Sequence, residues 1–310
     1  MTAAANEQIA VTAKQQEKRS EELDLRQVAA EASVVEFDAT TGLPLSHPHF
    51  LPDGMFDPIR GLVKKRLSPG LVENLKRIHR HIQEQVHQDH RVPWSGINDG
   101  DTKVRAFGFM GQTALQRLDE ANVKLSAPEK EGQDAIDDEQ ANRKAICILP
   151  EQIGDGNDTL NVLHVTKDLV ETLNPEKSNL DPETVAADNL IAYQINLHNG
   201  CRYLPAHLDW PLHDGFGKVI CTVAIRGDAS VLLVGRDTVV VGGEELQPAW
   251  RFYLQEGECY VLSDRARNRC LHSVVADDKN CMRESLNLRF GLHSEKEAAE
   301  SITKYWEDSL

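Results

Sequence analysis

The chain has 310 residues, 40% of them hydrophobic and 27% charged, which is enough apolar material for one large core with an accessory region. No apolar run approaches the ~18 residues of a transmembrane helix, so the composition is that of a soluble globular protein with no membrane association. A net charge of −15 opposes a general affinity for nucleic acid, while leaving room for a local basic groove.

The first 36 residues have no apolar core and carry Glu7, Glu17, Glu21, Glu22 and Asp24. That is unlike a secretory signal or a transit peptide, so the expected compartment is cytosol, nucleus or both. Residues 1–50 read as a flexible N-terminal extension or a partner-binding helix. Within them Ser46-His47-Pro48-His49 reads as a turn, because Pro48 restricts both neighbours.

Residues 51–185 are expected to supply helical support and a substrate lid. Ser68-Pro69-Gly70 predicts a helix start, with Ser68 as cap and Pro69 in the first turn. Leu71, Leu75, Ile78, Ile82 and Val86 then form one apolar helical stripe. His79, His81, His87 and His90 are expected on the solvated surface of that helix. Arg60, Lys64, Lys65, Arg66, Lys76, Arg77, Arg80 and Arg91 make a basic island, read as an ordinary charged face or else as a phosphate-contacting surface.

Pro93-Trp94-Ser95-Gly96 and Arg105-Ala106-Phe107-Gly108-Phe109 suit short strands or a folded flap. Residues 126–143 are almost purely polar and acidic and predict a disordered surface loop. After a turn at Gly154–Asp158, residues Leu160, Leu163, Leu169, Val170 and Leu173 predict a second helix ending near Asn174-Pro175.

From Asp188 the chain breaks into short β-rich runs. Candidate strands are Leu190–Asn196, Tyr203–Leu208, Lys218–Ile225, Ser230–Val234, Trp250–Leu254, Cys259–Leu262, Cys270–Val275 and Ser285–Phe290. Eight such strands predict a sandwich or jelly roll over residues 186–296, with residues 297–310 as a C-terminal helix or tail. The six cysteines lack paired C-x-x-C spacing, so they form no zinc site and are expected as reduced, buried thiols.

Chemistry concentrates in Leu204-Pro205-Ala206-His207-Leu208-Asp209-Trp210. On a strand, residues i and i+2 share a face, so His207 and Asp209 would present an imidazole and a carboxylate side by side. His272, in the β-rich run Arg269–Val274, would complete two histidines and one carboxylate. Such a facial triad leaves open positions on iron(II) for a bidentate co-substrate and oxygen. His213 is a rival ligand but sits in the turn-rich Pro211–Gly217. Arg283-Glu284-Ser285-Leu286-Asn287-Leu288-Arg289 alternates strictly, putting two arginines, a hydroxyl and an amide on one face. Facing inward, they would bind a dicarboxylate; on an edge strand they would be solvated.

Together these blocks resemble the AlkB family of iron(II)/2-oxoglutarate dioxygenases. Asn196-Leu197-His198 lies eleven residues ahead of His207, and Gly257–Ser263 followed by Arg267 resembles the run into the distal histidine. Arg283-x-Ser285-Leu286-Asn287-Leu288-Arg289 resembles the R-x-S/N-x-T-x-R signature, and Arg105–Phe109 more weakly resembles the segment before the substrate lid. The resemblance covers roughly residues 186–293. It implies an α+β fold with a double-stranded β-helix (jelly-roll) core and supporting helices. It further implies iron bound by His207, Asp209 and His272. Arg283 would hold the distal carboxylate of 2-oxoglutarate, Arg289 and Asn196 would serve the metal-chelating end, and Ser285 and Asn287 would support the strand. His198 stands where the family usually has a 2-oxoglutarate-binding tyrosine, and Asn287 where threonine is usual.

The implied activity is oxygen-dependent hydroxylation or oxidative N-demethylation, with alkylated nucleic acid (RNA or DNA) as the family's usual substrate and a protein as the alternative. Trp94, Phe107, Phe109, Trp210 and Tyr203 are candidate base-stacking aromatics. Two further readings are a catalytically silent binding scaffold and a cupin-like metal enzyme without 2-oxoglutarate. The second leaves Arg283 and Arg289 without a job.

Overall fold

A computed structural model describes residues 32–45, 61–88, 103–120, 147–199, 203–209, 217–235, 239–241, 244–246, 249–276 and 282–292. In chain order its elements begin with β1 (Ser33–Val34), β2 (Leu62–Arg66), α1 (Pro69–Gln88), β3 (Lys103–Phe109), α2 (Gly111–Glu120) and β4 (Cys147–Ile148). They continue with β5 (Gln152–Ile153), β6 (Leu160–Asn161), α3 (Val162–Leu173), β7 (Leu190–Asn199), β8 (Tyr203–His207), β9 (Val219–Arg226) and β10 (Ala229–Gly235). The last are β11 (Val239–Val241), β12 (Glu244–Leu246), β13 (Ala249–Leu254), β14 (Glu258–Leu262), α4 (Asp264–Asn268), β15 (Cys270–Ala276) and β16 (Met282–Phe290).

The fold is mixed α+β and rich in antiparallel sheet. One sheet has the order β2-β14-β9-β16-β7-β3-β4 and the other β1-β13-β10-β15-β8. From β7 to β10, consecutive strands alternate between the two sheets. The inner strands β9 and β14 of the larger sheet are buried on both faces, which fits their apolar sequences. Alternate residues of β9 split between two cores: Val219, Cys221, Val223 and Ile225 face α1 and α3, and Ala224 faces the smaller sheet. β14 divides likewise, with Cys259 and Val261 toward the helices and Tyr260 and Leu262 between the sheets.

Local sequence sets the helices as expected. Ser68 Oγ accepts from Leu71 N at 3.3 Å at the start of α1, and Leu71, Leu75, Ile78 and Ile82 are buried. The second predicted helix is α3. Asn161 caps it by accepting from His164 N, and it ends at Asn174, which takes the left-handed conformation with φ 51°. Cys147, Cys221, Cys259 and Cys270 are free and buried. Among the described residues no helix is long and apolar enough to cross a membrane.

Several expectations need correction. Residues 32–45, inside the stretch read as a flexible extension, are ordered against the sheets, and Ser33–Val34 join the smaller one. β1 pairs in parallel with β13, Val35 is buried, and Phe37 meets Phe252 edge-on at 5.3 Å. Val35 and Phe37, which pack into the core between the sheets, supply the anchor, while Val34 stays exposed. β2, from the region read as support and lid, is a strand of the larger sheet; β3 agrees with the short strand expected at Arg105–Phe109 and joins the same sheet. His79 is buried, not solvated, because α1 lies against the sheet where Glu284 faces it. Residues 46–60, 89–102, 210–216 and 293–310 and the acidic stretch 126–143 lie outside the described residues, with the expectations made for them.

Candidate metal and anion site

Antiparallel pairing of β8 with β15 places His207 directly opposite His272. Their rings stand 4.2 Å apart, centroid to centroid. Asp209 follows two residues past His207, just beyond the strand end. Its Oδ1 lies 3.9 Å from His207 Nε2 and its Oδ2 lies 3.7 Å from His272 Nε2. The three ligand atoms fall within 4.8 Å of one another, the single such group among the described residues. Their separations slightly exceed the roughly 3 Å expected between neighbouring ligands at metal–ligand bonds of about 2.1 Å. His207, whose side chain is 36% exposed, is the member with room to close the gap.

β16 carries the facing wall. It is the central strand of the larger sheet, flanked by β9 and β7, so its arginines cannot be the solvated arginines of an edge strand. Arg283 and Arg289 are 3% and 1% exposed. With Ser285 and Asn287 they line one cavity together with Asn196, His207, Asp209 and His272. Leu286, Leu288 and Phe290 alternate into the core beneath the helices. Gly217 (φ +105°) lets the chain pass close to Arg289: a Cβ there would sit 3.1 Å from that of Arg289. His198 lies on β7, paired across the ladder with Arg283.

The electrostatics suit a metal and an anion. Burial, the largest influence, pushes the Asp209 carboxyl up. The opposing pull of Arg289, then His272, His207 and Arg267, outweighs it and holds the group well below the usual carboxylate range. Arg289 Nη2 stands 3.7 Å from Asp209 Oδ1. Burial lowers the His272 pKa to about 3, with His207 adding to the shift, so this imidazole is neutral and able to ligate near neutral pH. At that pH it is therefore Arg289 and Arg267, rather than His272, that hold Asp209 ionised. Arg267, pushed down to about 10 by burial, still keeps its proton at neutral pH.

The sequence reading missed Gln194, Thr222 and Tyr260, which also line the cavity. Gln194 and Asn196 share a face of β7 by two-residue alternation, a usable signal. Tyr260 sits in the apolar run Cys259–Leu262 and reads there as ordinary core. Burial raises its pKa, and its hydroxyl is hydrogen-bonded to Thr222.

Neither a scan against protein-family models nor a search of curated proteins returns a match for this chain. The AlkB resemblance therefore rests on the motif residues alone.

Proposed function

We propose that this chain is an iron(II)/2-oxoglutarate-dependent dioxygenase that hydroxylates or oxidatively N-demethylates an alkylated substrate. The observation that carries the reading is the juxtaposition in one cavity. A His-Asp-His set from the smaller sheet faces two buried arginines from the centre of the larger. The fold we assign is a double-stranded β-helix. Its support is the strand distribution: β14-β9-β16-β7 in one sheet and β13-β10-β15-β8 in the other.

The residues fit these ligands. His207, Asp209 and His272 would hold the metal, offering two neutral nitrogens and one anionic oxygen on one side and leaving the other side open. Arg283 and Arg289 suit the two ends of a dicarboxylate through paired N–H donors. Asn287 Oδ1 is buried with no hydrogen-bond partner among the described residues, which marks a place for a ligand or water. A divalent metal and a dianion enter as a neutral pair, so the buried charge balance of Asp209 against the arginines survives binding. Bound together with oxygen, iron and 2-oxoglutarate supply the oxidising power for C–H hydroxylation, with succinate and carbon dioxide as co-products. An N-methyl carbon so hydroxylated leaves as formaldehyde.

Alkylated nucleic acid is the substrate class the resemblance brings. One observation favours the second reading, a protein substrate. Three members of the described part of the basic island are engaged internally, while Arg66 and Arg80 are exposed. Lys64 pairs with Glu258 at 2.9 Å, Lys76 with Glu256 at 2.7 Å and Arg77 with Asp158 at 3.2 Å. Lysines engaged in this way offer little to phosphates.

The test is iron- and oxygen-dependent conversion of 2-oxoglutarate to succinate by wild type and by His207→Ala. Turnover by wild type alone is the expected result. Absent turnover combined with no thermal stabilisation by 2-oxoglutarate would overturn the proposal. Binding to single-stranded and duplex nucleic acid at two salt concentrations separates the substrate classes, since phosphate-driven affinity must fall as salt rises.

A further inference from the structure

Gln194 belongs neither to the metal triad nor to the arginine pair, yet it connects them. It is 3% exposed on β7, two residues before Asn196. Arg289 donates to Gln194 Oε1 from Nε at 2.9 Å and from Nη2 at 2.5 Å. A guanidinium is a donor only, so the amide oxygen must face it and the flipped amide is ruled out. That orientation turns Gln194 Nε2 toward Asn196, where it donates to Oδ1 at 2.9 Å. Asn196 has thus committed its oxygen within the protein, and its Nδ2–H groups are what remain to meet a ligand. At the other end, Arg289 Nη2 lies 3.7 Å from Asp209 Oδ1. The four residues form a directional relay: Asp209, Arg289, Gln194, Asn196.

We propose that Gln194 is a positioning residue for the anionic co-substrate, fixing the Asn196 amide so that a donor, not an acceptor, meets the carboxylate end beside the metal. This rests on the reading of the cavity as a 2-oxoglutarate site. A purely architectural glutamine would only anchor Arg289. Two near-isosteric substitutions separate the roles. In Gln194→Glu the new carboxylate still accepts both Arg289 bonds but cannot donate to Asn196, whose amide then turns its oxygen to the ligand. Gln194→Met is uncharged and removes both functions.

The experiment is calorimetric titration of the full chain, first with Mn(II) and then with 2-oxoglutarate, for wild type and both variants. A lost hydrogen bond to a charged group is worth about 1.5–3 kcal/mol, so both variants should bind 2-oxoglutarate about 10- to 150-fold more weakly. Each variant should still unfold cooperatively in urea and still bind Mn(II), which reports that it is folded with its metal ligands in place. Anchoring alone predicts that Gln194→Glu binds 2-oxoglutarate like wild type. Added charge alone predicts the same of Gln194→Met. Either result overturns the inference. Wild type that binds Mn(II) but no 2-oxoglutarate would instead overturn the functional reading beneath it.

Discussion

Asp209 is an ionised carboxylate at 9% exposure, a state that costs several kcal/mol unless opposite charge lies close by. Arg289 is the nearest such charge, and Gln194 holds it in place. Removing the carboxylate leaves buried cations uncompensated. Asp209→Ala should therefore lower the stability of the metal-free protein by about 3–5 kcal/mol in urea unfolding, and Asp209→Ala/Arg289→Met should recover part of the loss. His207 is the opposite case. Its half-exposed side chain contributes little packing, so His207→Ala should change metal-free stability by less than about 1 kcal/mol while abolishing Mn(II) binding in a titration. Two adjacent ligands would then differ in what they do for the fold while agreeing in what they do for the metal. Equal destabilisation by both substitutions would contradict this assignment of the buried charge.

At the scale of elements, α1 docks on the larger sheet with His79 inward, and burial together with Arg80 lowers its pKa to about 4. Glu284 Oε2, 3.8 Å from Nδ1, favours the protonated form, but Arg226 shares that carboxylate and burial prevails. Between pH 6.5 and 4 the unfolded chain binds a proton at this site that the folded chain refuses. Stability contributed here is thus complete above pH 6.5 and lost as pH falls. Wild type should lose about 2–3 kcal/mol more than His79→Met between pH 7 and 4.5, as measured by urea midpoints. Helical spacing sets His79 beside the apolar stripe, four residues after Leu75 and three before Ile82, but a histidine reads there as surface until the sheet, with Glu284 two hundred residues away, is seen to cover it. The eight strands from β7 to β10 and β13 to β16 were legible in two ways: β9 as the apolar run Val219–Ile225 of a strand buried on both faces, and β13 and β16 as two-residue alternation. β2 was not, because Lys64-Lys65-Arg66 reads as surface, and charged edge strands look like that. Arg283 and Arg289 were legible by two-residue alternation, and His207 and Asp209 by their H-x-D spacing, although Asp209 lies just past the strand end. Gln194 and Tyr260 acquire meaning only when β7 and β14 are seen to face the same cavity.

Across the whole molecule, the proposed metal ligands belong to one sheet and the proposed anion ligands to the other. His207 and His272 stand on β8 and β15, and Arg283 and Arg289 stand on β16. The apolar core joins the sheets through contacts such as Phe252 with Tyr260, 5.6 Å apart, whereas the cavity lies between polar walls. A metal alone would tie β8 to β15, strands already paired. A metal carrying 2-oxoglutarate would tie the smaller sheet to the larger, so its effect on stability should exceed that of either ligand alone. Each ligand at 100 times its dissociation constant adds about 2.7 kcal/mol, worth roughly 4 °C in a chain of this size. Thermal scans should therefore show Mn(II) raising Tm and 2-oxoglutarate raising it further only when Mn(II) is present. Arg283→Met should keep the first increment and lose the second. His207→Ala should lose both, since the anion then has no metal to chelate. Undiminished stabilisation of Arg283→Met by 2-oxoglutarate would show that the anion does not bridge the sheets through β16.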